Sequence, residues 1–132
     1  MPQMADITIK KNDGTTDIVY TGTVPASGSE PAVWRATAGV AAPSLAPEFR
    51  LSARDADNGK KRALRSTFVY PQSVTNSTTG VTTVTDRALG STDVSFSKNM
   101  SQSAIDEFVA QWSGLLRAAL IQSCHKAGYS AT

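Results

Sequence analysis

Six of the 13 lysines and arginines lie between Arg50 and Arg65, and this block is where the sequence has most chemistry to offer. Guanidinium and ammonium groups gathered on one face make a footprint for a polyanion. A solvated strand face would account for the same block, and Glu48, Asp55 and Asp57 stand close enough in sequence to neutralise part of it. Nucleophilic and metal chemistry have far less support. His125 is the single histidine and Cys124 the single cysteine. Adjacent residues on a helix diverge in direction, so the two do not make a nucleophile–base pair. One cysteine allows no intrachain disulfide and no thiolate-rich metal site. No phosphate loop, dinucleotide glycine pattern, HExxH or EF-hand loop occurs. Asp55 and Asp57 fall at a turn and Asp106–Glu107 at a helix start, where turn chemistry and the helix dipole account for them. The sequence predicts no enzyme, no cofactor and no metal.

The elements that must position the basic block belong to one domain. The chain has 132 residues and a net charge of +2, with 40% hydrophobic residues, a composition that folds. A monomer of this size buries only about two-thirds of its unfolded surface, so a partner would add useful burial. No apolar run approaches the roughly 20 residues of a membrane span. The start, MPQMADITIKK, lacks a basic segment leading into an apolar one, so no signal peptide is expected and folding in a cytoplasm is the default. Without secretion, the glycosylation-type triplet Asn76-Ser77-Thr78 has no meaning.

The first two thirds read as β. Ile7 and Ile9, then Ile18 and Tyr20, alternate on either side of Asn12-Asp13-Gly14, predicting a hairpin over 5–23 whose turn residues both take positive φ. Residues 25–31 read as a loop, 32–38 as a short strand anchored by Trp34, and 39–47, with Gly39, Pro43 and Pro47, as a loop under which Val40 and Leu45 can pack. Phe49, Leu51 and Ala53 alternate with Arg50, Ser52 and Arg54. After an Asp57-Asn58-Gly59 turn, Leu64, Ser66, Phe68 and Tyr70 alternate with Arg65, Thr67 and Val69. Side chains alternate strictly across a pleat, so the basic residues of this hairpin share a face. Pro71, with no ladder donor, is expected to end the pairing. Residues 72–80 read as a polar, flexible loop, which Val81 and Val84 either continue or close by opening a sixth strand. Val94 and Phe96 alternate with Asp93, Ser95 and Ser97, and Gly90 marks a bulge or a bend.

From Met100 the period becomes helical. Ser101 or Ser103 can cap, with Asp106 and Glu107 in the first turn. Ile105, Phe108, Val109, Trp112, Leu115, Leu116, Ala119 and Leu120 fall in an arc of roughly 140°. Gly114 either kinks this segment, expected over 101–124, or splits it in two, and residues from Lys126 read as a tail. The class is α+β: an antiparallel sheet over 31–98 preceded by a hairpin and followed by a helix or helix pair.

Two segments carry a resemblance. EFRLSARDADNGKKRALRSTFVYP (Glu48–Pro71) resembles the central hairpin of the coat proteins of small single-stranded RNA bacteriophages. STDVSFSKNMSQSAIDEFVAQW (Ser91–Trp112) resembles that family's last strand running into its helix. The order of parts agrees over nearly the whole chain, although no single motif is diagnostic. The resemblance implies a homodimer joined sheet edge to sheet edge, with each helical segment lying across the partner's sheet. Phe108, Val109, Trp112, Leu116 and Leu120 would then form core and dimer interface. It further implies a conformationally variable loop over 72–88, with Ser73, Asn76 and Gly80 at contacts between dimers, and an icosahedral shell made in the bacterial host's cytoplasm and found in the virion. The polar face would line the shell interior and hold single-stranded RNA, including a genomic stem-loop whose binding represses translation. The residues implied are Arg50, Ser52, Arg54, Lys61, Arg65, Thr67, Ser91, Asp93 and Ser95.

The sequence departs from the family where members can stack a base on a last-strand aromatic, because Gly90 and Ser91 stand there. Tyr70 or Trp34 could supply stacking from elsewhere. Ala63 also interrupts the polar row. Two other classes fit part of the pattern: a non-assembling RNA-binding β-sheet dimer, and a structural or adhesive β-protein such as a tail or pilus component. The first has no use for a long polar loop, and the second would be expected to carry a secretion signal.

Overall fold

The computed structural model describes residues 2–28, 30–38 and 42–132. The expectation for Val40 lies outside them. Six strands form one antiparallel sheet in sequence order: β1 (Ile7–Lys10), β2 (Asp17–Val24), β3 (Ala32–Arg35), β4 (Glu48–Ala56), β5 (Lys61–Thr75) and β6 (Thr82–Ser97). Two helices follow, α1 (Gln102–Arg117) and α2 (Ala119–Ala127). The chain divides into two compact units, one up to Ser95 and one from Phe96 onward.

The first unit is organised by a row of aromatic side chains on one face. The register sets Ile7 opposite Tyr20, Gly22 opposite Trp34, Trp34 opposite Phe49 and Phe49 opposite Phe68. Tyr20 meets Phe68 edge-on at 6.0 Å between ring centroids, and Trp34 meets Phe49 at 5.8 Å. Such pairs add about 0.5–1.5 kcal/mol beyond their burial. The segment before β1 lies over this face. The Met4 side chain packs against Gly22, where a Cβ would come within 2.8 Å of it. Trp34 Nε1 donates to the Ala5 carbonyl at 2.9 Å, and the Gly22 amide donates to Asp6 Oδ1 at 3.1 Å. Tyr20, Ala32, Trp34 and Ala36 are the buried heart of this cluster, with Phe49, Leu51 and Phe68 half-covered around it. Burial, and secondarily the nearby Tyr70, raises the Tyr20 hydroxyl above its usual pKa. Leu45, expected beneath the 39–47 loop, is half-buried, and the fully covered residues there are Ala46 and Pro47.

The turns explain where expectation and structure part. At the first turn only Gly14 takes a positive φ, of 74°. Asp13 instead organises the turn through its carboxylate. Its Oδ1 accepts the amides of Thr15 at 2.9 Å and Thr16 at 2.8 Å, and its Oδ2 accepts the Thr16 hydroxyl. The second turn is left-handed through three residues, Asp57 (φ 51°), Asn58 (54°) and Gly59 (83°), a run that Asp, Asn and Gly tolerate best. Pro71 does not end β5, which continues to Thr75. The ladder with β4 stops at Glu48–Val69, so at Pro71 the strand has outrun β4 and the missing donor costs no bond on that side.

The loop expected over 72–88 is therefore a β-hairpin, and Ser73 sits within β5. The turn is confined to the residues between Thr75 and Thr82. Asn76 Oδ1 accepts the amides of Thr78 at 2.8 Å and Thr79 at 3.3 Å, Gly80 has φ 72°, and the Asn76 amide donates to the Val81 carbonyl at 2.8 Å. Thr and Val along both arms favour strand, which outweighs the polar composition. Thr75 bonds Thr82 near the turn and Ser66 bonds Thr92 further in. The parity of these two same-face pairs differs, so one strand carries an unmatched residue between them, a β-bulge. Gly90 lies within that stretch.

In the second unit Ser101 caps α1, its Oγ accepting the Ala104 amide at 3.3 Å. Because α1 starts at Gln102, Asp106 and Glu107 fall beyond the first turn. They accept from Gln102 at 2.8 Å and from Gln111 at 2.7 Å, each four residues away. The helix breaks at Ala118, where ψ is 140°, and not at Gly114. Alanine is the best helix former, so nothing local announces this break. α2 runs through Lys126 to Ala127 and ends on Gly128 in the left-handed conformation, so the tail is shorter than expected.

Asp13 makes the first turn sensitive to acid. The side-chain bond to Thr16, then the amides of Thr16 and Thr15, lower its pKa from 3.8 to about 2. A group with a lowered folded pKa contributes stability that is present above its unfolded value and lost as pH falls through its folded value. Thermal unfolding from pH 5 to pH 2 is expected to show a smaller acid-induced fall in midpoint for Asp13→Ala than for the parent chain. Parallel curves would mean the turn contributes nothing through this carboxylate.

Candidate nucleic-acid interface

The face opposite the aromatic row is built by the β3–β4–β5 register. Arg35, Glu48 and Val69 form one cross-strand row; Val33, Arg50 and Thr67 form the next. Then come Ser52 with Arg65, Arg54 with Ala63, and Ala56 with Lys61. Asp93 of β6 reaches Arg65 at 3.9 Å, and exposure alternates strictly from Ser91 to Phe96, so Ser91 and Ser95 share the face of Asp93. All nine side chains singled out from the sequence for this face thus fall on one surface. Their shared face follows from pleat parity alone. Which rows stand side by side follows from the left-handed turn at 57–59, whose length sets the register.

The charges on this face are partly paired. Glu48 accepts from Arg50 Nε and lies 3.4 Å from Arg35 Nε. Among the described residues no ion pair is formed by Arg54 or Lys61. Arg62 points to the other face, where it bonds Asp55 at 2.8 Å. Exposed pairs of this kind contribute about 0–1 kcal/mol, so the arginines are held loosely and can exchange a carboxylate for a phosphate. The face has hydroxyls beside cations, a set suited to phosphate and sugar contacts. Among the described residues no group of three or more His, Cys, Asp or Glu is placed to hold a metal, and no helix is long and apolar enough to cross a membrane.

Two further arginines belong near this face and are absent from the set that the sequence suggests. Arg35 and Arg87 line a cavity of about 170 Å³ with Ser44, Ala46, Glu48, Val69 and Pro71. The sequence signal for Arg35 is its alternation with Trp34, a buried neighbour. Arg87 sits in the stretch expected to be loop and has no signal.

On the aromatic face, Ile7, Ile9, Tyr20, Phe49 and Phe68 line an apolar groove of about 260 Å³. In the second unit no residue of α1 or α2 is buried. Phe108, Val109, Trp112 and Leu120, expected in core and interface, are exposed in the single chain, Leu120 to 63%, and Leu116 is half-covered.

No sequence-family model and no curated protein sequence matches this chain. Solved structures do. The virus-like particle of Beihai levi-like virus 21 superposes with a TM-score of 0.83 at 21% identity, over 99% of both chains. The virus-like particle of bacteriophage NT-214 gives 0.84 at 12% identity, over 99% of this chain and 100% of that one. The capsid protein of bacteriophage GA gives 0.76 at 19% identity, over 95% of each. The chain has the fold of the RNA phage coat proteins.

Asp93 is the one carboxylate facing Arg65 from β6. Asp93→Asn is expected to delay elution from a heparin column to higher salt, with stability changed by no more than about 1 kcal/mol. Unchanged retention would show that polyanions do not meet this part of the face.

Proposed function

We propose that this protein is the capsid subunit of a single-stranded RNA phage, a non-enzymatic shell protein that dimerises, assembles and packages RNA on the polar face of its sheet. The observation that carries this reading is end-to-end likeness to proteins of phage particles, with 99% of the chain covered. The exposed apolar stripe on α1 and α2 supports it. Covering Phe108, Val109, Trp112, Leu115 and Leu120, still 36–63% exposed, would add roughly half of the about 1.5–3 kcal/mol that full burial of such a side chain contributes, and the apolar groove on the sheet offers a second copy's helices a matching surface. β6 is a 16-residue edge strand, and pairing it with its symmetry mate would remove the open edge.

The β5–β6 hairpin, with Ser73, Asn76 and Gly80 at and near its tip, would make the contacts between dimers in the shell. On the polar face, Arg50, Arg54, Lys61 and Arg65 would neutralise phosphates, giving salt-dependent affinity. Ser52, Thr67, Ser91 and Ser95 would bond sugar, phosphate or a splayed base, and Asp93 would orient Arg65. Repression of translation through a genomic stem-loop is the finer form of the same reading.

Expression of the chain alone in bacteria, followed by negative-stain microscopy and the absorbance ratio of the particle fraction, tests this. Uniform closed shells carrying host RNA are expected. In Arg50→Ala/Arg65→Ala, shells should persist with less RNA and a shallower salt dependence. A soluble dimer that never assembles would favour a plain RNA-binding module, and shells with unchanged RNA in the double variant would remove the basic face from packaging.

A further inference from the structure

The cavity beside the Arg35–Glu48–Val69 row is not part of the surface described by Arg50, Arg54, Lys61 and Arg65. It adjoins them, one row further along the same face. We infer that it is a phosphodiester subsite for single-stranded RNA, in which Arg35 and Arg87 clasp one backbone phosphate; this rests on the RNA-packaging reading above.

One carboxylate, Glu48, serves two guanidiniums, Arg35 and Arg50. Arg87 lines the same cavity and makes no ion pair among the described residues. Asp86 is adjacent, but its Oδ1 accepts the Arg87 amide at 2.8 Å. Two guanidiniums thus share Glu48 and a third, that of Arg87, lines the same cavity, a surplus that favours an anion.

Arg35 is also incompletely satisfied. Its Nε is buried and makes no hydrogen bond, because the 3.4 Å approach to Glu48 lies outside bonding geometry. A buried donor left unpaired is costly, and an anion entering the cavity can relieve that cost by letting Glu48 and Arg35 resettle. Ser44 brings a hydroxyl to the same wall, while Val69, Pro71 and Ala46 supply an apolar floor.

Size discriminates among ligands. The volume of about 170 Å³ exceeds the roughly 30 Å³ share of one water and falls short of the roughly 300–1,000 Å³ of small-molecule pockets. It suits a phosphate with part of its ribose better than a whole nucleoside. A site that accepts backbone and excludes the base reads no sequence. It would extend the RNA track along the strand direction, beyond the rows of Arg50 and Arg65.

Salt titration of binding tests this, using the assembled or dimeric full chain and a labelled single-stranded RNA oligonucleotide of mixed sequence. Each phosphate contact to a single strand contributes about 0.7 to the slope of log affinity against log salt. Arg87→Gln is expected to reduce the slope by about that amount at an unchanged melting temperature, and equally in the Arg50→Ala/Arg65→Ala background. Arg35→Lys, which keeps the charge, should retain the slope, and inorganic phosphate at millimolar concentration should compete only with the parent chain's extra contact. An unchanged slope in Arg87→Gln, with the parent chain binding RNA, would overturn the subsite alone. A parent chain that does not bind the oligonucleotide would overturn the packaging reading on which it rests.

Discussion

Uncovered apolar surface is the constraint from which the rest of this structure follows. An amphipathic helix and a half-apolar sheet are stable only when their apolar sides are removed from water. Among the described residues six hydrophobic ones are buried, all of them before β4, and neither helix buries any. The Met4–Asp6 segment covers one end of the aromatic row, over Gly22 and Trp34, and leaves the Ile7–Phe68 groove open. Proposing a second copy as the missing layer accounts for both exposed surfaces with one interaction.

The opposite face is free to be polar because the aromatic face carries the packing. Strand period two turns one sequence into two surfaces, and register decides which residues become neighbours. A slip of β5 by one residue against β4 would send Phe68 to solvent and Arg65 into the apolar layer. The left-handed turn at Asp57-Asn58-Gly59 guards against that slip, and cross-strand pairs such as Ser66–Thr92 fix β6 against β5. The polar face thus inherits its precision from the sheet's own folding requirements.

Most of this is legible where local pattern and tertiary outcome agree. Alternation over Phe49–Tyr70 yields both the hairpin and the polar face, and Ser101 announces the start of α1. The departures have physical causes. Pro71 reads as a stop because proline cannot donate to a ladder, but a strand that has outrun its neighbour loses nothing there. The Thr-rich arms around Asn76 look like loop by polarity, while β-branching and cross-strand partners make them strand. Ala118 breaks the helical segment with no signal in the local sequence. Arg35 and Arg87 escape a sequence reading because they are 52 positions apart, and only the fold brings them to one cavity.

Concentration-dependent unfolding tests the central claim most directly. If the apolar faces of sheet and helices are completed by a second copy, the folded state is inseparable from association, and the midpoint of urea or thermal unfolding must rise with protein concentration. Sedimentation of the folded species should then give at least twice the 13.9 kDa chain mass at every concentration where structure persists. A folded 13.9 kDa species whose midpoint does not move with concentration would show that one chain covers its own apolar surface, and would contradict the account.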